Sequence, residues 1–155
     1  MRKGFSMIEA KWMLGTDELT DAFYIRKEVF IKEQQISEAI EYDEWDPKAF
    51  HVVVYEQGQP KATGRLIKQK DQYLLGRIAV LKEARGKGLG DLVVRMLIRK
   101  AFDLGATEVH IHAQISARPF YEKLGFEAYG DCYDEAGILH ISMVKKEDIQ
   151  GSCAQ

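Results

Sequence analysis

The chain has 155 residues, of which 46% are hydrophobic and 30% are charged, and its formal net charge is −2. This composition is typical of a globular protein with a hydrophobic core, and the length predicts one domain. Acidic and basic residues are interspersed, so no basic block indicates a nucleic-acid or membrane-surface partner.

The first half of the chain predicts a strand, a helix, a long loop and three further strands. Residues 7–13 alternate loosely and predict the first strand, and Asp17 is the expected N-cap of the helix that follows. The acidic stretch 34–48 predicts a long loop with room for one helical turn. The next three strands are expected at 50–55, 62–68 and 73–80.

The second half predicts a long helix, a strand, a short helix and a hairpin. Apolar residues at helical spacing from Leu89 onward mark a buried helix face, and Gly105 is expected just after the helix end. Ser116 is the expected N-cap of the short helix. Strands are expected at 109–113, 126–133 and 139–144. The order β-α-(loop/α)-β-β-β-α-β-α-β-β predicts an α/β domain with a mixed sheet and a parallel unit around the long helix.

Targeting and redox signals point to the cytoplasm. Residues 1–15 contain no apolar run of the kind found in signal peptides, and no segment approaches the ~20 apolar residues of a membrane span. The two cysteines, Cys132 and Cys153, fit a reducing compartment. We therefore expect a cytoplasmic protein with one domain over residues 1–146 and a polar C-terminal tail over residues 147–155.

A glycine-rich loop, Arg85-Gly86-Lys87-Gly88-Leu89-Gly90, lies between a predicted strand and the long helix. Alternate glycines let the backbone approach a ligand, and the helix start adds unpaired N–H groups and partial positive charge. Such a loop suits a pyrophosphate. Its glycine spacing differs from those of the P-loop and the dinucleotide-binding fingerprint. A plain glycine-rich turn is the alternative interpretation.

Two motifs at a fixed spacing carry a family resemblance. The loop satisfies Arg/Gln-x-x-Gly-x-Gly, and about thirty residues later the chain reads Phe120-Tyr121-Glu122-Lys123-Leu124-Gly125-Phe126. With both motifs the chain resembles the GNAT superfamily of acyl-CoA-dependent N-acyltransferases. Residues 22–34 also resemble the first helix of small bacterial members of the YjcF/ElaA type, although Leu139 stands where those relatives usually have Pro. The resemblance implies a mostly antiparallel twisted sheet of about seven strands flanked by about four helices.

The same resemblance implies a site for acetyl-CoA or CoA. The loop would bind the pyrophosphate, and the strand from Arg77 to Val80 would lie along pantetheine with a backbone N–H near the thioester oxygen. Tyr121 would be the general acid beside the sulfur, and Gln114 a weaker cofactor contact. The expected cofactor-binding residues are Ile78, Ala79, Val80, Arg85, Gly86, Lys87, Gly88, Leu89, Gly90, Gln114 and Tyr121.

Several residues are candidates for the general base or for acceptor binding. His140, on the last hairpin, is the preferred base. His110 and His112 share one strand face, which borders either the cleft or, as we slightly favour, a half-wet surface. They have no third ligand nearby, so no metal is expected. The acceptor-binding candidates, each with a structural ion pair or a solvated loop as the alternative, are Arg26, Glu41, Asp43 and Arg65.

These features predict an acetyl-CoA-dependent N-acetyltransferase in which a primary amine of a small acceptor attacks the thioester directly. A catalytically idle acyl-CoA-binding or sensing module would carry the same loop and stays an alternative. The first helix also resembles that of acyl-homoserine-lactone synthases, a more distant alternative. We expect a monomer or homodimer whose partner is a small-molecule amine, with neither nucleic acid nor a membrane as partner.

Overall fold

The computed structural model describes residues 7–147, which form a seven-stranded mixed sheet flanked by four α-helices. The strands are β1 (Ile8–Leu14), β2 (Phe50–Glu56), β3 (Gln59–Gln69), β4 (Gln72–Val80), β5 (Glu108–Gln114), β6 (Glu127–Glu135) and β7 (Ile138–Lys146). The helices are α1 (Thr20–Arg26), α2 (Glu38–Glu41), α3 (Leu89–Asp103) and α4 (Arg118–Lys123). The predicted fold class and order of elements are confirmed.

The strands lie in the order β1-β2-β3-β4-β5-β7-β6. All neighbours pair antiparallel except β4 and β5, which are parallel because α3 carries the chain from one end of the sheet back to the other. In the described part of the chain, no helix combines the length and the apolar character needed to cross a membrane.

Strand alternation divides the core between the two faces of the sheet. On one face, α3 packs on residues such as Val52 and Val54 of β2. On the other face, α1 packs on Val53 and Tyr55 of the same strand. Side chains in register with Val53 therefore face α1 and the segment that follows it, and this face carries most of the polar side chains described below.

Helix α1 continues directly into a π-helical segment, Lys27–Glu33. Such wider turns are rare and frequently lie at functional sites. The segment after it, predicted as a loop, contains α2, whose N-cap Ser37 accepts a hydrogen bond from the N–H of Ala39 (3.2 Å). Its short length agrees with the single helical turn for which the sequence leaves room.

A β-bulge interrupts the pairing of β3 with β4. Thr63 pairs with Ala79 but Arg65 pairs with Gly76, so Gly64 faces two residues, Arg77 and Ile78. Arg77 has a positive φ of 51°. A bulge bends its strand, and the parallel pairing of β4 with β5 ends at Leu75 and Ile111, just before this point. Beyond it the two strands separate and open a cleft.

Two predicted helix caps are wrong. Asp17 does not cap α1: its carboxylate accepts from the N–H of Leu14 (2.8 Å) in a turn, and α1 begins three residues later. Ser116 lies in a 3₁₀ turn before α4, whose N-cap is Ala117 without a side-chain cap. In both cases a tight local turn replaces the first helical turn. The predicted tail from residue 148 onward, including Cys153, lies outside the described residues.

Candidate functional site

A cavity of about 790 Å³ lies where β4 and β5 separate. Its size falls in the range of small-molecule sites. One end is bordered by Arg85 and Gly90 of the glycine-rich loop, and the other by Glu135 and His140 of the last hairpin. The cleft therefore connects the predicted pyrophosphate loop to the predicted acceptor region.

The glycine-rich loop presents unpaired backbone donors. Gly86 and Gly88 both have φ of 83°, a left-handed conformation that glycine adopts without strain. The first α-helical hydrogen bond of α3 runs from Leu92 to the carbonyl of Gly88, which leaves the N–H groups of the first helical turn, beginning at Leu89, without α-helical partners. A Cβ added at Gly88 would meet no atom within 4 Å, so the space beside the loop is open to a ligand.

The side-chain charges of this loop are already paired within the protein. Arg85 donates to both carboxylate oxygens of Glu33 (2.7 and 2.6 Å) and, through Nε, to the carbonyl of Val80 (3.0 Å). The hydrogen bond from Arg85 lowers the pKa of Glu33. Lys87 pairs with Glu56 (3.1 Å) and does not border the cavity. The groups that this loop leaves unpaired are therefore mainly main-chain N–H donors. Nothing local in the sequence identified Glu33, because its partner is 52 residues away.

The edge of β4 beyond the bulge directs peptide groups into the cleft. The N–H of Leu81 donates to Lys61 on the β3 side (2.9 Å). Successive strand residues turn their peptide groups to opposite edges, so those of Val80 point to the cleft. Ile78 and Ala79 also border the cavity, as expected, whereas Leu89 is buried in the core.

A hydrogen bond joins the two sides of the cleft near its middle. Gln114, at the end of β5, donates from Nε2 to Oε1 of Gln34 (2.8 Å), and both side chains border the cavity. Glu33 and Gln34 are consecutive, so the end of the π-helical segment is tied to the glycine-rich loop and to β5. The sequence indicated Gln114 but not Gln34.

Tyr121 is buried in the cavity wall. Its side chain, 6% exposed, lies edge-on to the rings of Phe120 and Phe126, with ring centroids 5.0 and 5.8 Å away. Burial raises the pKa of the phenol, so the hydroxyl is protonated at neutral pH. Among the described residues the hydroxyl has no hydrogen-bond partner, and it is available to a ligand as a donor.

Three arginines and three carboxylates form an ionic cluster between the sheet and α2. Arg26 donates to Glu41 (2.6 Å) and Asp46 (2.8 Å), and its side chain is only 1% exposed. Arg26 does not border the cavity, so its position is that of a structural ion pair and not of a residue that touches an acceptor. Arg65 donates to both oxygens of Asp43 (2.7 and 2.8 Å) and to Asp46 (2.8 Å).

The predicted acceptor residues Glu41, Asp43 and Arg65 border the cavity, but their charges are satisfied within this cluster. Burial by itself raises the pKa of Asp43, but Arg65 and Arg77 outweigh it and lower the pKa to about 2. Glu41 is more deeply buried, and burial raises its pKa despite the neighbouring arginines. Neither carboxylate is free to bind a cationic amine, because both already hold a guanidinium.

Arg77, like Asp46, is a cluster member that the sequence does not mark as an acceptor residue. It reaches from the bulge to the carbonyl of Glu41 (3.0 Å) and to Asp43 (3.2 Å). These partners lie 34 to 36 residues earlier, so only the folded chain reveals the contact.

The end of the cavity away from the glycine-rich loop carries a carboxylate between two histidines. Glu135 lies 3.7 Å from Nδ1 of His112 and 4.0 Å from Nε2 of His140. Its pKa is lowered by the interaction with His112 and by the charges of His140 and Arg77. Nδ1 of His140 is 2.7 Å from the carbonyl of Ile138 and must donate to it, which leaves Nε2 as the proton acceptor.

The two histidines of β5 have different surroundings. His112 borders the cavity and is partly exposed. His110 does not border it; this side chain is buried and bonded to Glu108 (2.7 Å) and to the hydroxyl of Tyr129 (2.9 Å). The predicted half-wet surface is therefore wrong for His110, whereas the side chain of His112 is 43% exposed and also borders the cavity. The sequence singles out His140 as the preferred base, whereas no local pattern identifies Glu135. Within residues 7–147, no three His, Cys, Asp or Glu side chains are grouped to hold a metal.

Comparisons with known proteins give a consistent match. Residues 16–147 match the model of the acetyltransferase (GNAT) domain. A Bacillus subtilis (strain 168) protein named uncharacterized N-acetyltransferase YjcF is 40% identical over 131 residues, or 83% of this chain and 93% of that protein. The crystal structure of an acyl-CoA N-acyltransferase from Pseudomonas aeruginosa has a TM-score of 0.80 at 29% identity and covers 90% of this chain and all but 1% of its own. Escherichia coli ElaA also has a TM-score of 0.80, at 23% identity, with 90% and 100% covered.

Proposed function

Because the chain belongs to the GNAT acetyltransferases, we propose that it transfers an acetyl group from acetyl-CoA to a primary amine of a small acceptor. Acetyl transfer that depends on acyl-CoA follows from the family. The choice of a primary amine, its direct attack and the roles of the residues below are the proposal. It rests above all on one observation: the cleft between β4 and β5 joins a backbone anion site to a wall that carries Tyr121 and His140.

The glycine-rich loop fits the diphosphate of CoA. Its N–H groups from Gly86 to the start of α3 lack α-helical partners, and the open space beside Gly88 admits a group that a side chain would otherwise fill. The helix start adds partial positive charge, a combination that favours phosphate. Arg85, already held by Glu33, shapes the loop by its bond to Val80.

The separated strands fit the pantetheine arm. Peptide groups of β4 beyond the bulge, including those of Val80, have no strand partner on the β5 side and can pair with amides of a bound arm. A backbone N–H in this row can also stabilise a developing oxyanion. Positioning of this kind can lower a barrier by about 7–11 kcal/mol when the geometry is good.

Acetyl-CoA supplies the thioester whose carbonyl carbon the amine attacks, and CoA leaves as the thiolate. In the proposal, Nε2 of His140 accepts a proton from the acceptor ammonium so that the nitrogen lone pair becomes available. Glu135 lies 4.0 Å from this nitrogen, so its carboxylate faces the position that the transferred proton takes.

Tyr121 donates a hydrogen bond to the departing sulfur. The raised pKa keeps the phenol neutral, so it acts as a fixed donor. The phenol therefore keeps its proton, and the second proton, which the amine nitrogen releases after attack, protonates the departing thiolate to give free CoA.

The test measures release of free thiol when the protein is incubated with acetyl-CoA and a panel of primary amines, amino acids, polyamines and amino sugars. We expect CoA release that depends on an acceptor. Tyr121→Phe should lower turnover at least about tenfold with acetyl-CoA affinity unchanged, whereas Tyr24→Phe, on the exposed side of α1, should not. Thiol release that is independent of any amine would refute the proposed reaction, and normal turnover in Tyr121→Phe would refute the role of the phenol.

A further inference from the structure

We propose that the acceptor carries a carboxylate in addition to its amine, and that Nη1 of Arg77 binds this carboxylate. This inference rests on the proposed function and specifies its substrate class. It is carried by the hydrogen bonds of Arg77, by the balance of charge around it and by the presence of Glu135 in the lining of the same cavity.

Arg77 has donor capacity that the protein does not use. Nε and Nη2 donate to the carbonyl of Glu41 (3.2 and 3.0 Å), and Nη2 also contacts the carbonyl of Ile40 (3.3 Å) and Asp43 (3.2 Å). Nη1 makes no hydrogen bond to any residue in the described range 7–147. The side chain is 22% exposed and borders the cavity, so this nitrogen is accessible to a ligand.

Arg77 is also the least compensated cation of the cluster. Arg26 and Arg65 hold carboxylates at 2.6 to 2.8 Å, whereas the carboxylate contacts of Arg77 are 3.2 and 3.3 Å. Burial lowers the pKa of Arg77, with further contributions from the positive charges of Arg65 and Arg26. Hydrogen bonds to Asp43 and Asp46 outweigh burial and raise the pKa of Arg65. An added anion would therefore stabilise Arg77 more than either neighbour.

Glu135 provides the complementary charge. It borders the same cavity as Arg77, and its pKa is lowered by His112, by His140 and, to a smaller extent, by Arg77, so it carries a negative charge at neutral pH. A zwitterionic acceptor matches this pair, with its carboxylate at Arg77 and its ammonium between Glu135 and His140. One free nitrogen suits a singly charged carboxylate better than a phosphate dianion, which needs more donors.

The remaining wall indicates what the acceptor's side chain is like. The same cavity is also bordered by the aliphatic residues Ile36, Ile40, Ile67 and Leu74. An apolar side chain would remove these surfaces from water without leaving a polar group unpaired. Leucine therefore serves as the probe, with compounds that lack only its carboxylate as controls.

The experiment compares kcat/KM for leucine, leucinamide and isopentylamine in the thiol-release assay, with each value corrected for the fraction of uncharged amine. We expect leucine to exceed both controls at least about tenfold, the range expected for a hydrogen bond between charged groups. Equal values, or a preference for the compounds without a carboxylate, would overturn the proposal even though acetyl transfer itself had been demonstrated. If no amine in a broad panel caused thiol release, the proposed function would be contradicted, and this inference with it.

Variants assign the preference to one side chain. In Arg77→Gln and Arg77→Lys the ratio of leucine to isopentylamine should fall towards one, mainly through KM for leucine. Because both substrates are measured on the same preparation, a fraction of misfolded variant cancels from the ratio. Arg99→Gln, an exposed substitution on α3, should keep the wild-type ratio. A wild-type ratio that survives in both Arg77 variants would show that another group binds the carboxylate and would overturn the assignment.

Discussion

Replacing Asp43 by Asn tests whether the ionic cluster is a structural element of the acceptor wall. In the wild type, Oδ1 of Asp43 accepts from Arg65 (2.7 Å), and Oδ2 accepts from Arg65 (2.8 Å) and Arg77 (3.2 Å). An amide keeps one acceptor and places an NH₂ group where the second oxygen stood. That NH₂ would face guanidinium donors, so at least one hydrogen bond is lost and the negative charge disappears.

The magnitude follows from the pKa of the carboxyl group. It falls from 3.8 to about 2 in the folded protein, and each unit corresponds to about 1.36 kcal/mol, so the charged form contributes about 2 kcal/mol to the free energy of unfolding. Because the folded pKa is depressed, this contribution is present above the unfolded pKa. It is lost as the pH falls from about 4 to about 2.

Urea denaturation at pH 7, 5, 4 and 3 measures the effect. At pH 7 we expect the free energy of unfolding of Asp43→Asn to be about 2 kcal/mol below that of the wild type, and the difference should shrink as the pH is lowered below 4. Asp131→Asn, on the exposed surface of β6, is the control and should show no such difference. A difference for Asp43→Asn that is near zero at pH 7, or that does not change with pH, would refute the reasoning.

Two further substitutions address the cofactor loop and the base. Gly88→Ala forces a side chain into φ of 83°, so we expect about tenfold weaker binding of CoA by calorimetry from a strain of about 1–2 kcal/mol. Gly130→Ala carries a comparable strain (φ 75°) on β6, outside the glycine-rich loop, and should bind CoA normally; an equal loss of affinity in both variants would count against the role of the loop. His140→Gln should lower kcat about a hundredfold with acetyl-CoA affinity unchanged, and raising the pH should restore part of the rate. Undiminished kcat would remove His140 as the base.

Local signals in the sequence were sufficient for most of the elements. The run of apolar residues from Leu89 and the glycine at position 105 define α3 by interactions within a few residues, and the structure follows them closely. The glycine-rich loop is equally local, because its conformation depends on positive φ values that glycine alone adopts readily. The predicted N-cap at Asp17 is wrong because its carboxylate instead accepts a hydrogen bond from the N–H of Leu14, an interaction that is equally local in sequence.

The acceptor end depended on contacts that no local pattern contains. Asp43 looked like a free acidic loop residue until Arg65 and Arg77 were brought to it from 22 and 34 residues away. The carboxylate of Glu135 lies beside His112, which belongs to a different strand, so no local pattern reveals the contact. The bulge at Arg77 arises from the register between β3 and β4, which sequence alternation did not specify. The glycine-rich loop could thus be predicted from the sequence alone. The arrangement of charges at the acceptor end could be determined only from the folded structure.

Because of the bulge, the shape of the cleft depends on the number of residues in β4 as well as on their identity. Between its pairings with Arg65 and Thr63, β4 holds one more residue than β3. Deleting either Arg77 or Ile78 would let the ladder run on evenly, draw β4 back alongside β5 and leave no gap for a pantetheine arm. Such a shortened chain keeps its core and its melting behaviour but loses the gap between β4 and β5, and deletion of Arg77 removes the guanidinium as well. A single-codon deletion would thereby yield a well-folded but inert protein, a form of inactivation that a stability screen would overlook.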